Sequence, residues 1–323
     1  MHRSSLAPTS RKRRLVSTVG VVATVVAIIW LVRTVEATAL ADVWSTAMAA
    51  PATALLVVAA YGSAFVLRAI AWTRIVPSLG FGHSLAALHV SLGANHVLPA
   101  RLGEVLRVAS VAHRAGVPMP VATASTVVLR AADVATIVAL AVLLAPAVAA
   151  DVVGRWAAVL LAAAVAAAVT ASWWLARMRQ REQIDVRSRD AFAFVLVVAS
   201  WLLEATVIHQ AAAWAGVPLT ATEAIVVTAV TIAAQAVAVA PGGFGTYEAA
   251  ATAALVAIGA TDAATALVVA IAAHAFKTAY SLVTGAIASF VPAPSMLGWM
   301  AHVRAHAPTP APMTAPSTAG SSG

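Results

Sequence analysis

The chain has 323 residues, of which 62% are hydrophobic and 10% charged, with a formal net charge of +8 and no cysteine. A soluble domain carries about 25% charged residues, so a water-facing surface cannot be built from this composition. The missing cysteines exclude disulfides and thiolate metal sites. The basic residues flank apolar runs, the pattern of helix orientation and anionic-lipid contact rather than of nucleic-acid binding. Strict alternation over about ten residues, the mark of a membrane barrel, is absent.

Residues 1–14 are polar and end in Arg11, Lys12, Arg13 and Arg14, which reads as a basic cytoplasmic N-terminus. A first span is expected over 15–32. Its apolar core is longer than a signal peptide needs, although Ala37-Thr38-Ala39 resembles a cleavage site. A second span over about 51–70 ends in Arg68, Trp72 and Arg74, read as a basic and aromatic interfacial edge. The stretch 84–115 is apolar but carries Asn95, His96, Pro99, Arg101, Glu104 and Arg107. A lipid-facing helix does not tolerate these, so a hairpin that dips into the membrane and returns is expected.

Further spans are expected over 121–149, 152–175, 191–213 and 263–290, with a basic loop from Arg177 to Arg189 between the middle two. Residues 221–258 form a second broken stretch around Pro241-Gly242-Gly243-Phe244-Gly245, and 291–323 read as a disordered Pro/Ala-rich tail. The expected fold is therefore an all-α polytopic membrane protein of about six full transmembrane helices plus two re-entrant or broken hairpins.

With the N-terminus inside, the inside segments hold Arg3, Arg11, Lys12, Arg13, Arg14, Arg68, Arg74, Arg101, Arg107, Arg114, the five arginines of the loop and Arg304. The outside segments hold Arg33 and Arg155. That asymmetry predicts cytoplasmic N- and C-termini in the inner cell membrane. The broken stretches also echo each other. Pro99 and Pro241 are 142 residues apart, as are Gly103 and Gly245. They would enter from opposite sides, which makes an inverted repeat of halves at about 51–149 and 191–290, as in many transporters.

Charged residues inside spans are costly unless they pair or line a wet cavity. Arg130 and Asp133 share a helix face. Arg101, Glu104 and Arg107 would do the same if a helix starts just after Pro99, and arginine forks suit a phosphate. Gly242, Gly243 and Gly245 permit tight turns, and free backbone N–H groups there could hold an anion. Glu204 and Glu248 are candidates for a proton relay or a headgroup contact, with Lys277 able to pair with either. The histidines, His274 among them, lack metal-site spacing, and no cofactor motif is present.

The string from Asn95 to Arg107, then Ala124-Ser125, Val128-Leu129-Arg130 and Asp133, then Pro241 to Glu248, resembles the transmembrane region of lysylphosphatidylglycerol synthases. The resemblance spans about residues 15–290. It implies a flippase-like membrane module that binds and moves a polar or phospholipid headgroup, with membrane lipids bearing phosphate as partners. Full synthases carry a cytosolic aminoacyl-transferase domain after the membrane part. This chain runs instead into its Pro/Ala tail, so the module and not the enzyme is the expectation. The family's final span usually bears an arginine where this chain has His274 or Lys277. The alternative reading is a non-transporting partner or scaffold of a lipid-modifying enzyme such as a glycosyltransferase.

Overall fold

A computed structural model describes residues 37–98, 101–144, 146, 156–182, 191–236, 238 and 240–290. They belong to one compact unit, Met1–Ala293; the second unit, Pro294–Gly323, lies outside them, as do the expected first span over 15–32, Pro99 and the loop from 183 to 190. All regular structure among the described residues is helical: α1 Ala37–Ala49, α2 Pro51–Ile75, α3 Phe81–Val97, α4 Gly103–Arg114, α5 Met119–Leu144, α6 Trp156–Arg181, α7 Ala191–Trp214, α8 Ala221–Ala236, a 3-10 turn Pro241–Gly243, α9 Thr246–Ala257 and α10 Ala263–Phe290.

Five helices are long and apolar enough to cross a membrane by length and composition: Pro51–Ile75, Met119–Leu144, Leu161–Arg181, Phe192–Trp214 and Ala263–Phe290. At about 1.5 Å per residue, each reaches or exceeds the ~30 Å of a hydrocarbon core. Their outer faces expose large apolar side chains such as Leu55, Leu56, Val165, Val169, Val283 and Ile287. Helix α1 occupies a segment expected to be a connection. It buries Val43 and Ala47 and packs against α2, α7 and α10.

Both broken stretches are two short helices flanking an interruption, α3–α4 and α8–α9. Each lies between two long helices, α2 and α5 in one case, α7 and α10 in the other. The packing is reciprocal: α2 lies against α7, α3 against α10, and α8 against α5. Close approach needs small residues at the crossings. A Cβ on Gly93 of α3 would lie 3.0 Å from Ser281 O and 3.1 Å from Gly285 Cα of α10. A Cβ on Gly103 would collide with Ser91 O and Asn95 Oδ1, so α4 starts directly on the flank of α3. In water-free surroundings this backbone contact, rather than hydrophobic burial, drives helices together.

A different device fixes the start of α10. Asp262 accepts hydrogen bonds from the N–H groups of Ala264 and Thr265 and from Thr265 Oγ1. The hydroxyl and the two N–H groups favour the ionised form and hold this exposed carboxyl below its usual value.

Candidate functional site

The two interruptions meet at a cavity of about 130 Å³ whose wall includes residues of both broken stretches and of α2, α5, α7 and α10. Five cationic side chains line it, Arg68, Arg101, Arg107, Arg130 and Lys277, together with the carboxylates of Asp133 and Glu204. Most of these charges are deeply buried: Arg107 is 3% exposed, Glu204 5% and Arg68 8%.

Glu204 of α7 is the bridge between the two long helices beside it. Its Oε1 accepts from Lys277 Nζ of α10 at 2.6 Å and its Oε2 from Arg68 Nη2 of α2 at 2.8 Å. Arg68 also lies 3.8 Å from Asp133 Oδ1, and its guanidinium stacks 4.4 Å from the Trp201 ring. Trp201 Nε1 donates to Asp133 Oδ1 at 3.0 Å, while Asp133 Oδ2 faces Arg130 Nη1 at 3.3 Å. Arg130 continues the chain to Glu104 Oε1, and Glu104 Oε2 lies 3.7 Å from Arg107 Nη1. The expected Arg130–Asp133 pair therefore exists as one link in a network across five helices.

A second cluster holds the Pro241–Gly245 turn. Gly242, Gly243 and Gly245 have φ of 64°, 76° and 79°, the left-handed region that residues with a Cβ rarely enter. Three of the turn's N–H groups are spent internally. Gly243 N–H donates to Ala240 O at 2.9 Å, Phe244 N–H to Pro241 O at 3.4 Å and Gly245 N–H to Glu248 Oε2 at 2.7 Å. The turn is tight as expected, but those three N–H groups form no anion nest. Glu248 Oε1 lies 2.6 Å from His274 Nδ1, and His274 Nε2 lies 3.1 Å from Gly242 O. Both ring nitrogens thus face acceptors. The pair closes with Nε2–H donating to the carbonyl and one further proton between Nδ1 and the carboxyl.

Two expectations change in this geometry. Helix α4 begins at Gly103, so Arg101 does not share a helix face with Glu104 and Arg107. Arg101 sits at φ 55°, because the chain must turn sharply for Gly103 to seat on α3, and its Nη1 donates to Gln235 O of α8 at 3.2 Å. Arg68 is no interfacial anchor: α2 runs on to Ile75 and carries it to the cavity. Lys277 takes Glu204, one of the two partners open to it, and Glu248 takes His274. Asn95 is where its polarity suggested, with Nδ2 donating to Glu104 Oε1 at 3.4 Å. Sequence reasoning missed Arg68, Trp201 and Gln235. An arginine two turns inside an extendable apolar helix was the available signal for the first.

No group of three or more His, Cys, Asp or Glu able to hold a metal ion occurs among the described residues. No curated protein and no solved structure matches the chain at a significant level. A family model described as lysylphosphatidylglycerol synthase TM region matches residues 17–285, a stretch that holds both broken helices and every charge of the cavity network. With that match over the bulk of its length and an all-helical membrane architecture, the chain belongs to the lysylphosphatidylglycerol synthase TM region family.

Proposed function

We propose that the protein binds a polar or phospholipid headgroup in this cavity and passes it across the cytoplasmic membrane. The observation that carries the reading is the set of five cations buried where two interrupted helices meet. Charge at such a place is costly, and its usual return is a solute path. The family's link to lipid metabolism supplies the class of solute.

The reading includes an inverted repeat of halves at about 51–149 and 191–290. Its support is the doubled order of long, short, short and long helices and their reciprocal packing. Removing Arg68, Arg101 and Arg107 from the loop count leaves the remaining basic residues gathered on the same side. That supports cytoplasmic termini. The movement involves no covalent step, and the ion-paired network serves to bind and to tie the two helical halves together.

The test is reconstitution into liposomes carrying headgroup-labelled lipids, with a membrane-impermeant quencher reading each leaflet. Protein-dependent loss of protection for at least one lipid is expected. A correctly inserted protein that moves none of a broad panel leaves the scaffold reading in its place.

A further inference from the structure

The balance of paired and unpaired groups in the cavity bears on which headgroup fits. Each of the four carboxylates in or beside it already faces resident donors. Glu204 holds Lys277 and Arg68. Asp133 holds Trp201 and Arg130, with Arg68 alongside. Glu104 faces Arg130, Asn95 and Arg107, and Glu248 faces His274 and Gly245 N–H. Glu104 Oε2 is the one of these oxygens without a hydrogen bond, and it is buried with Arg107 Nη1 3.7 Å away.

The donors are not used up. Arg101 lines the cavity with one hydrogen bond, to a carbonyl, and has no carboxylate within ion-pair distance among the described residues. The Nε–H groups of Arg68 and Arg107 are buried without a hydrogen bond, the first of them 3.8 Å from Asp133 Oδ1. Both side chains line the same cavity. Buried donors without partners cost free energy, and a guanidinium fork satisfies two oxygens of a phosphate at once.

We propose that the cavity selects a phosphate ester whose headgroup carries no ammonium, and disfavours zwitterionic and aminoacylated headgroups. This deepens the headgroup-binding reading and rests on it. An anion entering near Arg101 gains that guanidinium without disturbing a resident pair, where five cations outnumber the carboxylates of Asp133, Glu204 and the neighbouring Glu104. An ammonium must share Glu104 Oε2 with Arg107 or take a carboxylate oxygen from Arg68, Arg130 or Lys277, and either weakens the compensation of a buried cation. The surplus of positive charge lies on the interruption itself, where Arg101 touches α8 of the other half through Gln235. The same residue that meets the anion therefore joins the two broken helices.

The experiment is native mass spectrometry of the full chain in detergent, titrated with phosphatidylglycerol, phosphatidylinositol, phosphatidylethanolamine and lysylphosphatidylglycerol. The two anionic lipids are expected to be retained at least about tenfold more tightly than the other two, as one charge-assisted contact implies. Arg101→Gln is expected to abolish that preference. Arg101→Gly is expected to do the same; it tolerates φ 55° without strain, and a melting temperature equal to the parent's separates lost selectivity from a loosened Arg101–Gln235 contact. Equal or tighter retention of lysylphosphatidylglycerol or phosphatidylethanolamine overturns the selectivity while leaving headgroup binding intact. An anionic preference unchanged in both Arg101 variants also overturns it, because the preference then resides in surface arginines. Glycerol phosphate competing as strongly as the lipids overturns the lipid assignment. Retention of none of the four lipids overturns the headgroup reading itself.

Discussion

Gly93 and Gly285 bring the backbones of α3 and α10 into direct contact: a Cβ on Gly285 would lie 2.8 Å from Gly93 Cα and 2.9 Å from His89 O. The neighbours are main chain and cannot rotate away. Gly285→Ala is therefore expected to destabilise the protein by about 1–3 kcal/mol through overpacking. Gly82 is the control. It lies in α3, and an added Cβ would meet nothing within 4 Å, so Gly82→Ala is expected to be neutral or to stabilise by about 0.5–1 kcal/mol. Thermal melting of the detergent-solubilised variants reads both. A Gly285→Ala protein that melts with the parent shows that the crossing has room to spare.

Glu204 neutralises two cations on two helices, and that makes its loss asymmetric. Glu204→Gln leaves Lys277 and Arg68 facing an uncharged amide in a buried site, at a cost of about 3–5 kcal/mol. Lys277→Met in the Glu204→Gln background is expected to recover part of that cost, because one uncompensated cation is removed and Arg68 keeps Asp133 nearby. A double-mutant cycle on melting temperature measures the coupling. If the double variant is no better than Glu204→Gln alone, the Lys277–Glu204 contact contributes nothing.

The Arg130–Asp133 pair cannot be reversed. An isolated pair survives exchange of its members, since the partners still meet. Here the exchange sets an aspartate toward Glu104 and an arginine toward Arg68 and the Trp201 N–H. Like charges then face each other at both ends. The variant with Arg130→Asp and Asp133→Arg is expected to lose folded protein in size-exclusion profiles, below either Arg130→Gln or Asp133→Asn. Wild-type yield and melting for the reversed variant show that the pair stands alone.

The five long helices were legible because an apolar run of 20 or more residues has few other uses, and α7 and α10 start where the sequence places them. The interruptions were legible from Pro241 and its glycines and from the charges after Asn95. The network was not. Arg68 and Glu204 are 136 positions apart, and neither periodicity nor local spacing links them. The start of α4 was missed for a related reason. It depends on Gly103 meeting Ser91 and Asn95, a tertiary contact that puts Arg101 at a positive φ which local propensity disfavours. Local pattern finds elements here, while the pairing of buried charge belongs to the assembled bundle.

At Glu248 and His274, the hydrogen-bond inventory separates two substitutions that charge alone would group together. Glu248 accepts from Gly245 N–H with one oxygen and meets His274 Nδ1 with the other, while His274 Nε2 faces Gly242 O. Glutamine at this position can keep all three contacts. Its carbonyl accepts from Gly245 N–H, its amide donates to an unprotonated Nδ1, and Nε2–H still reaches Gly242 O. Glu248→Gln is therefore expected to melt close to the parent, within about 0.5–1.5 kcal/mol, the net worth of a single hydrogen bond. Glu248→Ala leaves Gly245 N–H and one ring nitrogen without partners in a buried site and is expected to cost more, about 1–3 kcal/mol for each orphaned group. It also frees the Pro241–Gly245 turn that borders the cavity, so lipid movement is expected to fall with it. The comparison is made on melting temperature and liposome transport for both variants. Equal and severe loss in Glu248→Gln and Glu248→Ala shows that the shared proton must sit on the ring, with a charged carboxylate opposite it, and that an amide cannot take its place.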